Sequence, residues 1–488
     1  MRILIVASEV VPFAKTGGLA DVAGALPLEL ARMGHDVRVA MPKYGTIDDD
    51  KFHILPILGD IRVRLGNLNH VAEIRRTVFP DSNVPVYFVA NSSLFDRANL
   101  YMEGGRDYPD NAERFAFFCK AVLWLLEGLD WTPEVIHCND WQSALIPVFL
   151  RTDSDVRSNA GLRSVKTLFT IHNQAYQGVF PRDEAERIGI GDNLFHPAAL
   201  EFYGALNLMK GGLLYADKIS TVSPTYAREI QTPEYGSGLD GVLLSRASHL
   251  TGILNGIDYD TWNPETDKLI PAHFTRADLS GKSKCKAALQ EEVGLDASPE
   301  TPLIGIISRL DPQKGFDLIA EILEPLVTGN VQLVLLGTGA AEYHQIFERA
   351  AKNHPGKVSA NLRFDNGLAH RIEAGSDFFL MPSHYEPCGL NQMYSLRYGT
   401  IPVVRKTGGL ADSIVDATPE NIESGRGTGF VFERYTTDEL MLTLQRALSC
   451  FQMQPHWDAL RQNAMSQDFS WRGSAMKYEQ LFKAMVAL

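Results

Sequence analysis

The sequence predicts two α/β domains, each a mostly parallel sheet covered by helices on both faces. A chain of 488 residues exceeds what one core sustains, since single cores rarely grow past ~250–300 residues, so two domains with a cleft between them are expected. Short apolar runs ended by Gly, Pro or Asn alternate with longer helical patterns, the signature of βαβ units. Finally, the stretch Asn255–Gly281 is rich in Asp, Asn and Pro and weakly periodic, which places a boundary at about residue 260.

In chain order, RILIVASEV carries too short an apolar run for a secretory signal and lacks a small-residue cleavage site, so it is a first strand and the location expected is cytoplasmic. Further strands follow at Val37–Ala40, Val86–Val89, Val135–Cys138, Thr167–Ile171, Ile219–Val222 and Thr251–Leu254. The run Phe115–Leu129 is the richest in apolar residues, but Lys120 and Glu127 interrupt it. It is shorter than the ~18 residues a membrane span needs, and predicts a buried helix. The second half offers Leu303–Ile307, Gln332–Leu336, Phe378–Met381 and Ile401–Val404. The resulting division is 1–260, 261–455 and an amphipathic helical segment over 456–488.

Composition limits the partners. Hydrophobic residues are 45% and charged residues 22% of the chain, the mix of a globular enzyme. The formal charge of −13 argues against a general binder of nucleic acid, which needs a basic face to displace counterions. Any phosphate must then meet a few local cations in Gly-rich settings. The cysteines Cys119, Cys138, Cys285, Cys388 and Cys450 form no C-x-x-C pair and fit a reducing cytosol.

One internal repeat is present: Lys15-Thr16-Gly17-Gly18-Leu19-Ala20-Asp21 recurs as Lys406-Thr407-Gly408-Gly409-Leu410-Ala411-Asp412. Each copy follows a strand and precedes a helical segment, so its glycines either bring backbone N–H groups to an anion at a helix N-terminus or make a plain tight turn. Neither copy is G-x-G-x-x-G or a P-loop, which argues against a dehydrogenase or an ATPase. Arg309 and Lys314 lie on the turn after Ile307, either solvated or gripping a diphosphate, the guanidinium as a fork and the ammonium as a point charge. Glu386, in HYEPCGL after the strand Phe378–Met381, stands at the sheet edge where ligands of α/β folds bind. It can hydrogen-bond sugar hydroxyls, or be a loop carboxylate satisfied by N–H groups; Cys388 beside it can be a small buried hydrophobe. HCNDW (137–141) and TIHN (170–173) close two strands of the first half, offering Asp140 and His172 for a sugar or for strand-end capping, and only a weak metal site.

These motifs together resemble bacterial glycogen synthases and plant starch synthases, retaining glycosyltransferases of GT-B architecture, over nearly the whole chain. The carriers are KTGGLADV (15–22), HCNDW, NGID (255–258), RLDPQKG (309–315), EPCGL (386–390) and KTGGLAD (406–412). The resemblance implies two Rossmann-like domains facing across a deep cleft, donor held mainly by the second and glucan acceptor by the first, with the C-terminal helix crossing back. It implies that Lys15, Gly17, Gly18 and Asp21 reach the donor from across the cleft, Arg309 and Lys314 hold its diphosphate, and His172, Asn255 and Glu386 its glucose, with Cys388, Gly389 and Leu390 beside them. Phe364 stands where the family often has a base-stacking Tyr, and Asp140 and Tyr101 lie towards the acceptor. Two positions depart from related enzymes: Asn391 replaces a Thr, and Tyr394 a second Glu that glycogen synthases commonly lack.

The reaction implied is transfer of glucose from ADP-glucose, or UDP-glucose, to the non-reducing end of an α-1,4-glucan such as glycogen or maltodextrin. It proceeds with retention and needs no cofactor, membrane or nucleic acid. Other transferases hold a metal with D-x-D, and that spacing occurs at Asp48–Asp50, Asp153–Asp155 and Asp258–Asp260. All three are expected to be loop acids, since Arg309 and Lys314 already supply positive potential and no metal is needed. A pyridoxal-dependent glucan phosphorylase, a non-catalytic glucan binder and a transferase of the same fold with another acceptor are the alternatives.

Overall fold

In the computed structural model, which describes residues 1–487, the run RILIV forms strand β1 (Arg2–Val6) near the middle of a nine-stranded sheet. Its other members are β2 (Asp36–Pro42), β3 (Leu55–Leu65), β4 (Leu68–Val78), β5 (Pro85–Ala90), β6 (Val135–Asn139), β7 (Lys166–Ile171), β8 (Lys218–Thr221) and β9 (Leu250–Gly252). The order is β9-β8-β7-β6-β1-β2-β5-β4-β3, parallel from β9 to β5 and antiparallel at β5–β4 and β4–β3. Parallel strands covered on both faces have no solvent side, hence their continuous apolar runs. The hairpin β3–β4 was not expected, because most of β3 is exposed and lacks such a run.

From β1 the chain passes to β2 on one side, and from β6 it runs outward in sequence to β9 on the other, so the switch in direction lies between β1 and β6. Crevices at the carboxyl ends of strands flanking such a switch are where α/β folds bind ligands. Helix α1 (Gly18–Arg32) follows β1, and α2 (Asn111–Gly128) is buried on nearly all sides. Its buried cations are hydrogen-bonded: Arg114 donates to Leu94 O and Asn111 Oδ1, each at 2.7 Å, and Lys120 pairs with Asp153 at 2.7 Å. The C-terminal helix Trp471–Val486 packs on α1, with Tyr478 and Phe482 buried and Glu479 3.0 Å from His35.

The second sheet comprises β10 (Leu303–Ile307), β11 (Gln332–Leu336), β12 (Val358–Asn361), β13 (Phe378–Met381), β14 (Ile401–Arg405) and β15 (Phe430–Phe432). All pairs are parallel, in the order β12-β11-β10-β13-β14-β15, the 3-2-1-4-5-6 order of dinucleotide-binding folds, with the switch between β10 and β13. Helices α3 (Phe316–Thr328), α4 (Asn391–Arg397) and α5 (Gly408–Ser413) leave its carboxyl edge.

The chain therefore forms two compact units: Met1–Val222 with Ala227–Ile253 and the segment from Trp471, and Ser223–Tyr226 with Leu254–Ser470. The divide falls after Ile253 rather than at about 260, because Ile257 is already tied to the second unit, its N–H donating to Phe469 O at 2.8 Å. Helix Gln454–Met465 also stays there, Trp457 packing on Phe378 with ring centroids 5.0 Å apart, so only the chain from Trp471 joins the first unit. Among the described residues no helix is long and apolar enough to cross a membrane.

Candidate functional site

At the switch of the second sheet, the loop after β10 is held in shape by its own residues. The Asp311 carboxylate accepts the Lys314 N–H, and Gly315, at φ 80°, opens α3; a Cβ there would lie 2.2 Å from Pro382 O, so the loop seats against the end of β13. This brings Lys314 Nζ to 2.6 Å from Glu386 Oε2, which also accepts from Ser383 Oγ at 3.1 Å. Glu386 is buried, whereas Arg309 is more than half exposed with its guanidinium 3.6 Å from Asp311. Asn255 is buried against Cys388 and its Oδ1 has no hydrogen-bond partner, an acceptor left open beside Glu386's loop. Burial pushes the Cys388 thiol up to about 12, so it is no nucleophile. Gly389, at φ 69°, packs on Gln392, and Leu390 leads into α4. Phe364 is 88% exposed, a flat face open to solvent.

The second copy of the repeat is not an open phosphate loop. A Cβ on Gly408 would lie 1.9 Å from Glu386 O, one on Gly409 2.0 Å from Cys388 O, and the Gly409 N–H already donates to Glu386 O at 3.1 Å. The glycines clamp the loop that carries Glu386. Lys406 pairs with Glu433 at 2.6 Å, and the Asp412 carboxylate accepts the Thr225 N–H and hydroxyl, both at 2.7 Å.

At the switch of the first sheet the first copy is arranged differently. Gly17 caps α1 with nothing within 4 Å of where its Cβ would be, and Lys15 and Asp21 form a 2.8 Å pair on the surface. Glu9, buried, holds the loop from behind through Thr16 and Gly17, and Tyr101 donates to the same carboxylate at 2.7 Å. After β6, Asp140 takes φ 55°, rare for a residue with a side chain, while its N–H donates to Thr170 O at 2.9 Å and its carboxylate accepts the His172 N–H at 2.8 Å. Burial raises the Asp140 carboxyl to about 7. His172 Nε2 lies 2.9 Å from Asn139 Oδ1, and the Asn139 amide is oriented by donating to Val6 O at 3.1 Å and His137 O at 3.2 Å. Burial lowers His172 to about 3, so the ring is neutral, Nε2–H donates, and the buried, unpartnered Nδ1 is an acceptor suited to a hydroxyl. His137 is a core group instead, fully buried with Nε2 2.6 Å from Thr170 Oγ1 and its ring against Tyr478 and Phe482.

Comparison with known proteins identifies the family to which both units belong. The model of the starch synthase catalytic domain matches residues 2–245, and that of glycosyl transferases group 1 matches residues 291–465. The chain is 50% identical to a glycogen synthase of Anaeromyxobacter dehalogenans (strain 2CP-1 / ATCC BAA-258), over 99% of each chain. It is 47% identical to glycogen synthase 2 of Geobacter sulfurreducens (strain ATCC 51573 / DSM 12127 / PCA), covering 99% of this chain and 98% of that one. The chain belongs to the glycogen and starch synthase family. It is thus a glycosyltransferase. The catalytic domain of starch synthase IV from Arabidopsis thaliana, solved bound to ADP and acarbose, superposes with a TM-score of 0.90 at 35% identity, covering 100% of this chain and 99% of that one. Sucrose-phosphate synthase from Thermosynechococcus elongatus shares the GT-B fold, with a TM-score of 0.61 at 17% identity over 100% of this chain and 99% of that one.

Within this glycogen synthase relative, the unit-two site gathers Arg309, Lys314, Asn255, Glu386 and Cys388 at one strand edge, and the unit-one site gathers Lys15, Gly17, Asp140 and His172 at another. Tyr101 points its hydroxyl at Glu9 and Ser8, 2.7 Å from each, and Asn391 donates to Ile307 O at 2.8 Å, tying α4 to the end of β10. Tyr394 stacks on Trp262 at 4.0 Å. The D-x-D acids have local duties: Asp48 accepts from Lys51 N, Asp153 from Asp155 N and Asp258 from Asp260 N. Sequence reading missed Glu9 and Ser383, single polar residues whose only signal is position just past a strand.

Proposed function

We propose that the protein transfers glucose from ADP-glucose to the 4-hydroxyl at the non-reducing end of an α-1,4-glucan, with retention and without a metal. The observation that carries this reading is the Lys314–Glu386 pair, 2.6 Å apart between the carboxyl ends of β10 and β13. It juxtaposes a cation for a leaving diphosphate with a carboxylate for sugar hydroxyls. Arg309 and Lys314 stabilise the charge that develops on the departing phosphate, and Glu386, with the open Asn255 Oδ1, orients the glucose. Retention follows if the acceptor hydroxyl attacks from the face the diphosphate leaves, a phosphate oxygen taking its proton. No side chain then acts as a covalent nucleophile. Lys15, Gly17, Gly18 and Asp21 serve the donor and His172 Nδ1 accepts from the glucose. Asp140 and Tyr101 serve the glucan side, and Cys388, Gly389 and Leu390 shape the donor loop. Phe364 stacks on the base; adenine is favoured by the starch synthase solved with ADP. The location that suits this reaction is the cytoplasm.

The test is nucleoside diphosphate release from ADP-glucose and UDP-glucose, with and without glycogen, each repeated in EDTA, for the wild type and Lys314→Ala. The expected result is glycogen-dependent release, faster from ADP-glucose and unchanged by EDTA, with kcat reduced roughly 10²–10³-fold in Lys314→Ala, as for loss of one charge-stabilising donor. Release without glycogen, inhibition by EDTA or an unaffected variant would overturn the corresponding part.

A further inference from the structure

We infer that Glu9 is a positioning residue for the donor step, the group that fixes the Lys15–Asp21 loop in its working shape; this rests on the reading that the loop serves the donor. One carboxylate oxygen, Oε2, accepts the N–H groups of Thr16 and Gly17, the latter at 3.0 Å, while Oε1 accepts the Thr16 hydroxyl at 2.6 Å and the Tyr101 hydroxyl at 2.7 Å. Ser8 Oγ lies 2.7 Å from the same Tyr101 oxygen. Glu9 itself is only 5% exposed, so its four bonds are sheltered from competing water.

Two consequences follow from chemistry. The Thr16 and Gly17 N–H groups face Glu9 and are not available to a phosphate. The next N–H groups, of Gly18 and Leu19, head α1, where a helix supplies no acceptor of its own. The loop thus presents those N–H groups and the Lys15 ammonium from one side because Glu9 grips it from the other. Gly17 is exposed and has open space where a Cβ would be, so no neighbour on that side holds it. The Tyr101 hydroxyl completes the carboxylate's set and so links Glu9 to a residue of the glucan side.

A positioning role makes a specific demand. Glutamine can replace the carboxylate: its oxygen accepts the two N–H groups, and its amide donates to the two hydroxyls, which turn to accept, Tyr101 then donating to Ser8. Aspartate, one methylene shorter, cannot reach. The experiment measures donor and glycogen kinetics and thermal unfolding for Glu9→Ala, Glu9→Asp, Glu9→Gln and Lys15→Ala. The expected result is that kcat/KM for ADP-glucose falls about 100-fold in Glu9→Ala and Glu9→Asp, the cost of a displacement near 1 Å. KM for glycogen moves far less than kcat/KM for ADP-glucose, and Glu9→Gln returns to within a few-fold of wild type. Should the alanine variant fail to fold, the aspartate and glutamine pair still decides. Wild-type donor kinetics in Glu9→Asp, or equal losses in Glu9→Asp and Glu9→Gln, overturn the inference while leaving the loop's donor role intact. An unaffected Lys15→Ala overturns that role and the inference with it.

Discussion

Lys314 and Glu386 meet at 2.6 Å although 72 residues separate them, because two loops leave neighbouring strands at one edge. At residue scale such geometry was legible only in part. The strand-end positions of Arg309, Lys314, Glu386, Asp140 and His172 could be placed from pattern, since apolar runs stop where polar residues begin. What each side chain touches could not, because it depends on loop shape. Burial also sets protonation. His137 and His172 are lowered from 6.5 to about 3, so between those values the unfolded chain binds protons that the native one refuses, and this contribution to stability is lost as pH falls through the window. Asp140, raised from 3.8 to about 7, works in the opposite sense, its stabilising proton being lost as pH rises. Comparing variants isolates the histidine: between pH 7 and pH 5, against a reference value of 6.5, the urea midpoint of His137→Gln should fall less than that of the wild type. Equal falls would show that His137 is not held neutral.

At the scale of elements, seven identical residues do two different things. The first KTGGLAD stands free at the head of α1, while the second is pressed into the loop of Glu386. Identity of sequence carried the turn but not its use, because the use depends on a partner loop about twenty residues away in one case and on Glu9 in the other. Gly17→Ala is therefore expected to fold with an unchanged melting temperature, its φ of −144° being open to any residue. Gly409→Ala must move Cys388 O from 2.0 Å and should cost about 1–3 kcal/mol, with a lowered melting temperature and impaired turnover. Equal melting temperatures would contradict the clamp. The parallel strands were legible for the reason the hairpin β3–β4 was not: the former bury both faces, whereas β3, at the sheet edge with Pro56 and a break in register before Leu58, exposes most of its length.

For the whole molecule, the C-terminal helix is part of the first unit's core. Trp471, Tyr478, Phe482 and Met485 are all buried in it, and each such side chain contributes about 1.5–3 kcal/mol against a domain stability of ~5–15 kcal/mol. A fragment ending at Ile253 should therefore be unstable or aggregate, and a separate peptide spanning Trp471–Val486 should restore a cooperative melt. A fragment that melts cooperatively alone would show the helix to be dispensable.

The same helix sets an order of events during synthesis. The nine-stranded sheet emerges from the ribosome first, yet the side chains that close over α1 and His137 are translated only after the whole second unit. The second unit, complete at Ser470, can finish folding before the first, so the usual rule that N-terminal domains fold first is inverted. Until the helix Trp471–Val486 has been made, the newborn first unit carries an uncovered apolar strip that is open to aggregation.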